Sequence, residues 1–218
     1  MELNREIIDI VFLSLRVSII ASLIGLLIGA PIGAFICTME GKAKELWLII
    51  FNALLAVPTV VVGLVVYLVL SRSGPLGPLE LLFTPTAIII AQVIITIPVI
   101  TVFVHRACAA PWNELGDALR LDIPTRLGRV VEIAKIARVG LVTAFLVAFG
   151  RAISEVGAVM IVGGNIRNAT RVMTTSITLE TAQGNFSTAI WLGIILVGIS
   201  LGVTALTFYV TRERKLAA

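Results

Sequence analysis

The chain has 218 residues, of which 58% are hydrophobic and only 14% charged, with a mean hydropathy of +1.06. Soluble domains average about 45–50% apolar and about 25% charged residues, so this composition excludes an ordinary water-soluble core. The net charge is +4, but the basic residues stand at the ends of apolar segments, which membrane topology explains without a nucleic-acid partner. Cys37 and Cys108 are isolated from each other and form no CxxC pair, which indicates neither a zinc site nor a disulfide framework.

Five apolar segments are long enough to cross a membrane as helices, since about 18 apolar residues mark a candidate span. In chain order they lie near residues 7–38, 46–71, 81–104, 137–163 and 186–211. Together they predict an all-α integral membrane protein in which residues 1–218 form a single transmembrane domain. The acidic start of the chain lacks the positive region of a signal peptide, so we expect the first span to be retained.

Proline and glycine interrupt the first three spans. Pro31, Pro58 and Pro98 each free a backbone carbonyl inside an apolar run, and such sites are either plain kinks or hinges of an opening pathway. Residues 25–33 carry a doubled GxxxG pattern, which lets two helix backbones approach closely. The pattern predicts a packed helix bundle and leaves open whether the partner helix belongs to the same chain.

The distribution of Lys and Arg orients the chain, because cytoplasmic segments of membrane proteins carry an excess of both. With the N-terminus outside, eleven basic residues fall in inner segments and four in outer segments. This orientation predicts a cytoplasmic loop over residues 105–138, an external loop over residues 164–185 and a cytoplasmic C-terminus.

The predicted cytoplasmic loop has helical periodicity of its own. Pro111 is expected to end the third span, and residues 112–121 follow as a short helix with apolar residues on one face. Asp122 is predicted to cap a second helix, with Pro124 in its first turn. Such a basic, amphipathic pair of helices suits either the membrane interface or a groove on a soluble partner.

The fourth span carries two charged residues. Arg151 lies 12 residues past Val139, roughly 18 Å along a helix and near mid-membrane, and Glu155 follows at the i+4 spacing of an ion pair. Ionisable groups at that depth are costly to bury and are candidates for function. A structural ion pair that locks helices together explains the two residues equally well.

The predicted external loop begins near Asn165 and continues through Arg167, Arg171 and a threonine-rich stretch. These side chains are suited to an external mouth at which the arginines attract an oxyanion or meet acidic residues of a partner. Ordinary solvated loop charges are an equally good explanation.

The sequence contains neither a phosphate-binding GxxxxGK[ST] loop nor a recognisable nucleophile constellation. We therefore do not expect the chain to be an enzyme, and energy for transport would come from a partner acting on the cytoplasmic loop.

Five spans with a two-helix loop between the third and fourth resemble the permease subunits of type I ABC importers. In that family the loop carries an EAA–x3–G motif and docks into the ATP-binding subunit. The corresponding stretch here is GDALRLD at residues 116–122, which keeps only the second alanine, as Ala118, and has Asp122 at the position of the glycine.

The remainder of the sequence is similar to the molybdate and tungstate branch of that family, and most of all to its tungstate-specific members. Four stretches carry this resemblance, namely SRSGPLG at 71–77, TPTA at 84–87, GRAISEVGAVMIVGGNI at 150–166 and TRVMTTSITLET at 170–181. The resemblance extends over essentially the whole chain.

The resemblance implies a homodimer in a prokaryotic plasma membrane, with two ATP-binding cassette subunits and an extracytoplasmic oxyanion-binding protein. ATP and Mg²⁺ would bind to the cassette subunits, and no cofactor would bind to this chain. Candidate residues of the substrate pathway are Arg151, Ser154, Glu155 and Asn165. Candidate residues of ATPase coupling are Gly116, Asp117, Ala118, Leu119, Asp122 and Pro124.

Within this interpretation, Arg151 partly neutralised by Glu155 would offer a dianion a weak contact, with the Ser154 hydroxyl as a neutral donor. Sequence alone leaves other functions open. The alternatives are a permease for molybdate or another oxyanion, a stand-alone secondary carrier or channel, and a membrane anchor without transport.

Overall fold

A computed structural model describes the backbone of residues 2–216 and the side chains of residues 6–210. The two ends of the predicted domain 1–218 lie outside the described residues. So do the side chains of four basic residues that entered the orientation argument, namely Arg5, Arg212, Arg214 and Lys215.

The described part of the chain is built from α-helices joined by short turns. In order they are α1 (Glu2–Cys37), α2 (Gly41–Ala56), α3 (Thr59–Leu70), α4 (Pro85–Asp122), α5 (Arg126–Ile136), α6 (Arg138–Ile153), α7 (Gly157–Gly163), α8 (Met173–Ala182) and α9 (Phe186–Leu216). One 3₁₀ turn, Gly77–Leu79, lies in the loop between α3 and α4. A Thr84 cap, whose Oγ1 accepts from the amide of Ala87 at 3.4 Å, and Pro85 in the first turn fix the start of α4.

Three of these helices are long and apolar enough to cross a membrane unaided, namely α1, α4 and α9. The α2–α3 pair bends by 92° at its break and the α6–α7 pair by 62°, and each pair passes the same length and hydropathy test only when taken together. Counting each bent pair as one span gives five. The bent pairs coincide with the second and fourth predicted spans.

Proline does not end the third span as predicted. Helix α4 continues through Pro98 and Pro111 and ends at Asp122. A proline inside a helix costs about 3 kcal/mol, but both side chains are buried, and packing against neighbouring helices offsets that cost. The first helix of the predicted cytoplasmic loop is thus the inner end of α4.

The predicted capping role of Asp122 is also wrong. Asp122 is the last residue of α4, and Thr125 caps α5 by accepting a hydrogen bond at its Oγ1 from the amide of Gly128 at 3.2 Å. A residue before proline is pushed to extended backbone, and Ile123 has φ −121° and ψ 100°. The second helix therefore starts after Pro124 and does not include it.

Helix α1 packs along α4 through its glycine stripe. A Cβ on Gly29 would lie 2.9 Å from the carbonyl oxygen of Ile97, and a Cβ on Gly33 only 2.5 Å from that of Thr101. The Thr101 hydroxyl donates to the carbonyl of Gly29 at 3.3 Å. The partner of the GxxxG pattern is therefore in the same chain, and because residue numbers rise together along the contact, the two helices run parallel.

The two bent pairs meet each other. A Cβ on Gly63 of α3 would lie 2.7 Å from the Cα of Ala158 in α7, so the two backbones are in close contact. At the start of α7, a Cβ on Gly157 would lie 2.7 Å from Cγ2 of Val60. Packing of α3 on α7 places the two helix breaks side by side.

Candidate functional site

The break between α6 and α7 holds three of the four candidate pathway residues. Nη1 of Arg151, in the last turn of α6, lies 2.6 Å from Oε2 of Glu155, so the pairing expected from the i+4 spacing is present. The Glu155 side chain is only 2% exposed, whereas that of Arg151 is 41% exposed. The hydroxyl of Ser154 donates to the backbone carbonyl of Gly150 at 2.9 Å. Ser154 would have to rotate before donating to an anion.

Glu155 does more than pair with arginine. Its Oε1 accepts from the amide of Ala158 at 3.2 Å, which places a carboxylate at the positive end of α7. Its backbone carbonyl accepts from the Thr174 hydroxyl of α8 at 2.7 Å. The glutamate therefore joins the end of α6, the start of α7 and α8, and this structural role is added to any role in transport.

Arg151 faces a cavity of about 260 Å³ with otherwise apolar walls. Val57 and Thr59, at the α2–α3 break, lie on one side of it, and Pro98 of α4 lies on another. Apart from Arg151 and Thr59, the lining consists of leucine, isoleucine, valine and proline residues. Irregular backbone at membrane depth is tolerated where it is buried in protein or lines a cavity, and here the α2–α3 break and Arg151 of the α6–α7 end line the same cavity.

Asn165 lies apart from that cavity. It has a left-handed backbone with φ 50°, just after α7. Its side-chain amide donates to the carbonyl of Thr175 at 3.3 Å and its side-chain oxygen accepts from the Thr175 hydroxyl at 2.9 Å. Asn165 therefore fastens α8 to the end of α7, and it does not line the Arg151 cavity.

A residue that sequence reasoning missed lies on the other side of the α6 end. Nε2 of Gln92, buried in α4, donates to the carbonyl of Ala152 at 2.9 Å, one of the acceptors that α6 leaves at its terminus. It also reaches the Ser18 hydroxyl at 3.4 Å. The sequence does contain a signal for this residue, since Gln92 is a single glutamine in the long uncharged run of the third span. An amide at that depth needs polar partners, so its presence could have indicated a buried hydrogen bond.

The candidate coupling residues divide into two groups. Gly116 and Leu119 turn inward, and Gly116 packs against the Trp112 ring. The outward-facing members are Asp117, Ala118, Asp122 and Pro124. Arg120 joins this end of α4 to the α1–α2 turn, because it pairs with Glu40 and with Asp117, the latter at 2.9 Å.

Exposed leucines flank the outward-facing coupling residues. Leu121 at the end of α4 is 87% exposed and Leu127 at the start of α5 is 74% exposed. Apolar side chains this exposed beside a charged turn are typical of a contact surface for another protein or for lipid. The sequence predicted apolar residues on one face of this loop but not that these two would stand out.

No family model matches the chain. A tungstate uptake system permease protein TupB of Peptoclostridium acidaminophilum is 38% identical over 95% of this chain and 91% of its own length. Another TupB, of Campylobacter jejuni subsp. jejuni, is 34% identical over 79% of this chain and 72% of that protein. A probable anion ABC transporter permease protein of Haloferax volcanii is 51% identical over 68% of this chain and 66% of that protein.

Proposed function

Because this chain belongs to the tungstate-type family of ABC transporter permeases, we propose that it is the membrane subunit of an ATP-driven importer of tungstate. The observation that carries the proposal is the end-to-end likeness to a tungstate uptake permease, 38% identical over 95% of this chain. The family is one of membrane-embedded transport subunits and not of enzymes. Its members work with ATP-binding and substrate-binding partners.

The Arg151 cavity supports passage of a dianion without tight binding. An isolated buried guanidinium would hold a doubly charged anion strongly, whereas this one already shares its charge with Glu155 at 2.6 Å. A weak contact is what a pathway needs, because the ion must also leave. The apolar walls exclude other fixed charges that would trap it.

Helix α4 supplies a mechanical link between the cavity and the proposed ATPase contact. Pro98 lines the cavity and Asp122 ends the same continuous helix, roughly 36 Å away at 1.5 Å per residue. A push on the exposed end of α4 would therefore be transmitted to the cavity wall along one continuous helix. The ATP and Mg²⁺ that drive the push would bind to the partner subunits, with no cofactor on this chain.

We further propose that two copies of this chain form the path, with the N-terminus outside. The cavity opens beside α2 and α3, whose Leu54 and Val60 side chains are 45% and 53% exposed, so a second copy or lipid must cover this face. Cross-linking of single cysteines along α3 within the assembled transporter tests the arrangement. Symmetric α3–α3 cross-links support the dimer across this face, and their absence contradicts it.

The test of the function is uptake into proteoliposomes that contain this subunit with its ATP-binding subunit and its oxyanion-binding protein. We expect uptake of tungstate in preference to molybdate and sulfate, with uptake lost when either partner is omitted. Preference for molybdate would assign the chain to molybdate import instead. Transport by this chain alone would indicate a carrier or channel, and no transport under any condition would indicate an anchor.

A further inference from the structure

A second cavity lies away from Arg151, between α1, α8 and the start of α9. It is polar and has a volume of about 530 Å³. Its charged lining residues are Glu6 of α1, Arg167 and Arg171 of the 164–172 turn, and Glu180 of α8. In the proposed orientation this cavity faces the outside.

Two arginines, Arg167 and Arg171, bind the carboxylate of Glu6 at this cavity. Nε and Nη2 of Arg167 lie 3.0 Å and 2.5 Å from the two oxygens of Glu6, and Nη1 of Arg171 lies 3.2 Å from one of them. Paired N–H donors set against paired oxygens are the geometry by which arginine recognises carboxylates and tetrahedral oxyanions alike. Glu6 belongs to α1, 161 residues from Arg167 in sequence, and is not part of the backbone turn that carries the two arginines.

Two further donors belong to residues that line this cavity and have no protein partner. Nε of Arg171 and the hydroxyl of Ser176 are both buried and make no hydrogen bond within the described residues. The Ser176 residue is only 1% exposed. An unsatisfied buried polar group destabilises the protein, so a ligand that accepts several hydrogen bonds would be favoured here. A carboxylate supplies two oxygens, whereas a tetrahedral dianion supplies four.

Helix α8 connects this cavity to the Arg151 site. Ser176 faces the outer cavity, and two residues earlier the Thr174 hydroxyl holds the carbonyl of Glu155 at 2.7 Å. Glu180 on the same helix lies at the cavity and hydrogen-bonds Asn185 at 3.0 Å. Its negative charge keeps anion affinity low, as a site that passes its ligand onward requires.

We propose that Arg167, Arg171 and Ser176 form an outer subsite for a tetrahedral oxyanion dianion, and that the Glu6 carboxylate occupies it until the dianion displaces it. The inference rests on the proposed function, because the dianion is taken to be the transported one.

The test is equilibrium binding of tungstate to the permease and ATP-binding subunits in lipid nanodiscs, without the binding protein and at low salt. Glu6→Gln removes the internal competitor, so it should tighten tungstate binding about tenfold. Arg171→Gln removes a charged donor of the subsite, so it should weaken tungstate binding about tenfold or more. Arg72→Gln, which removes an exposed arginine from the other external loop, is the matched control and should leave binding unchanged.

The proposal is overturned if the Glu6 and Arg171 variants bind tungstate as the wild type does, or if the Arg72 variant weakens binding equally. It is also overturned if Glu6→Gln leaves tungstate binding unchanged and, in a separate measurement with the binding protein added, strengthens only the association of that protein. Should Arg171→Gln fail to fold, the gain expected from Glu6→Gln still decides the question. Wild-type uptake of tungstate judges the proposed function separately, so failure of one is distinguishable from failure of the other.

Discussion

The two helix breaks turn the chain by different means. The α2–α3 break bends by 92° at Pro58, and no side chain caps the helix that begins there. The α6–α7 break bends by 62° and is fastened by Glu155 through the Arg151 guanidinium, the Ala158 amide and the Thr174 hydroxyl. The stability of the second break is concentrated in a few polar side chains, whereas that of the first is spread over backbone packing. Single substitutions should therefore affect the two breaks very unequally.

The largest effect is expected from Glu155→Ala. The change removes the partner of Arg151 and the cap of α7 together, and loss of one member of a buried ion pair costs about 3–5 kcal/mol. Because the guanidinium is 41% exposed, we expect the free energy of unfolding to fall by about 3 kcal/mol, the lower end of that range. Equilibrium unfolding in mixed detergent micelles, followed by tryptophan fluorescence, measures it.

Two controls show whether the unpaired charge is the cause. Arg151→Gln with Glu155→Gln removes both charges and should cost clearly less than Glu155→Ala alone. Glu132→Ala, which breaks a surface pair with Lys135, should cost less than about 1 kcal/mol. A double variant as unstable as Glu155→Ala would contradict the argument from charge. Exchanging the two charges is a poorer test, since it would put an arginine at the positive end of α7.

A smaller effect is expected from Gly63→Ala, which acts on the packing between the two bent pairs. The added Cβ would lie 2.7 Å from the Cα of Ala158, so α3 and α7 must separate. Overpacking of this kind costs about 1–3 kcal/mol, and alanine regains about 1 kcal/mol in a helix, so we expect a net loss of up to about 2 kcal/mol. The same unfolding experiment measures it.

The matched control for that change is Gly193→Ala in α9, where the added Cβ would meet nothing within 4 Å. It should leave stability unchanged or raise it by up to about 1 kcal/mol. Equal losses at the two positions would show that the α3–α7 contact is not what makes Gly63 sensitive.

The sequence predicted what local chemistry determines. Long apolar runs marked the five segments, Pro58 lies at the sharper break, and the i+4 spacing anticipated the pairing of Arg151 with Glu155. It did not show that Glu155 caps α7, because no proline or helix-ending glycine in residues 151–156 signals that α6 ends at Ile153.

Three other features depended on more than the preference of a single residue. Asp122 is a good cap by residue type, but Pro124 forces the preceding residue into extended backbone and moves the cap to Thr125. The contact of Glu6 with Arg167 joins residues 161 positions apart, and no local pattern contains that information. Gln92 belongs to the same class, since the carbonyl that it satisfies lies 60 residues away.

The smallest effect is expected from Pro58→Ala, although Pro58 marks the sharper bend. Packing of Gly63 on Ala158 holds α3 in place whether or not residue 58 is proline, and no buried polar partner is lost. We therefore expect the free energy of unfolding to change by less than about 1 kcal/mol, within the range of substitutions that create no cavity or unpaired charge.

Spin-label distances show whether the bend itself survives that change. Labels at Leu46→Cys and Leu68→Cys sit on side chains that are 57% and 56% exposed, and the native cysteines are buried. At 1.5 Å per residue the two positions would be roughly 33 Å apart in a straight helix and roughly 23 Å apart across a right-angle bend. We expect the shorter distance with and without Pro58. A shift to the longer one would mean that proline alone makes the first break, and that packing only follows it.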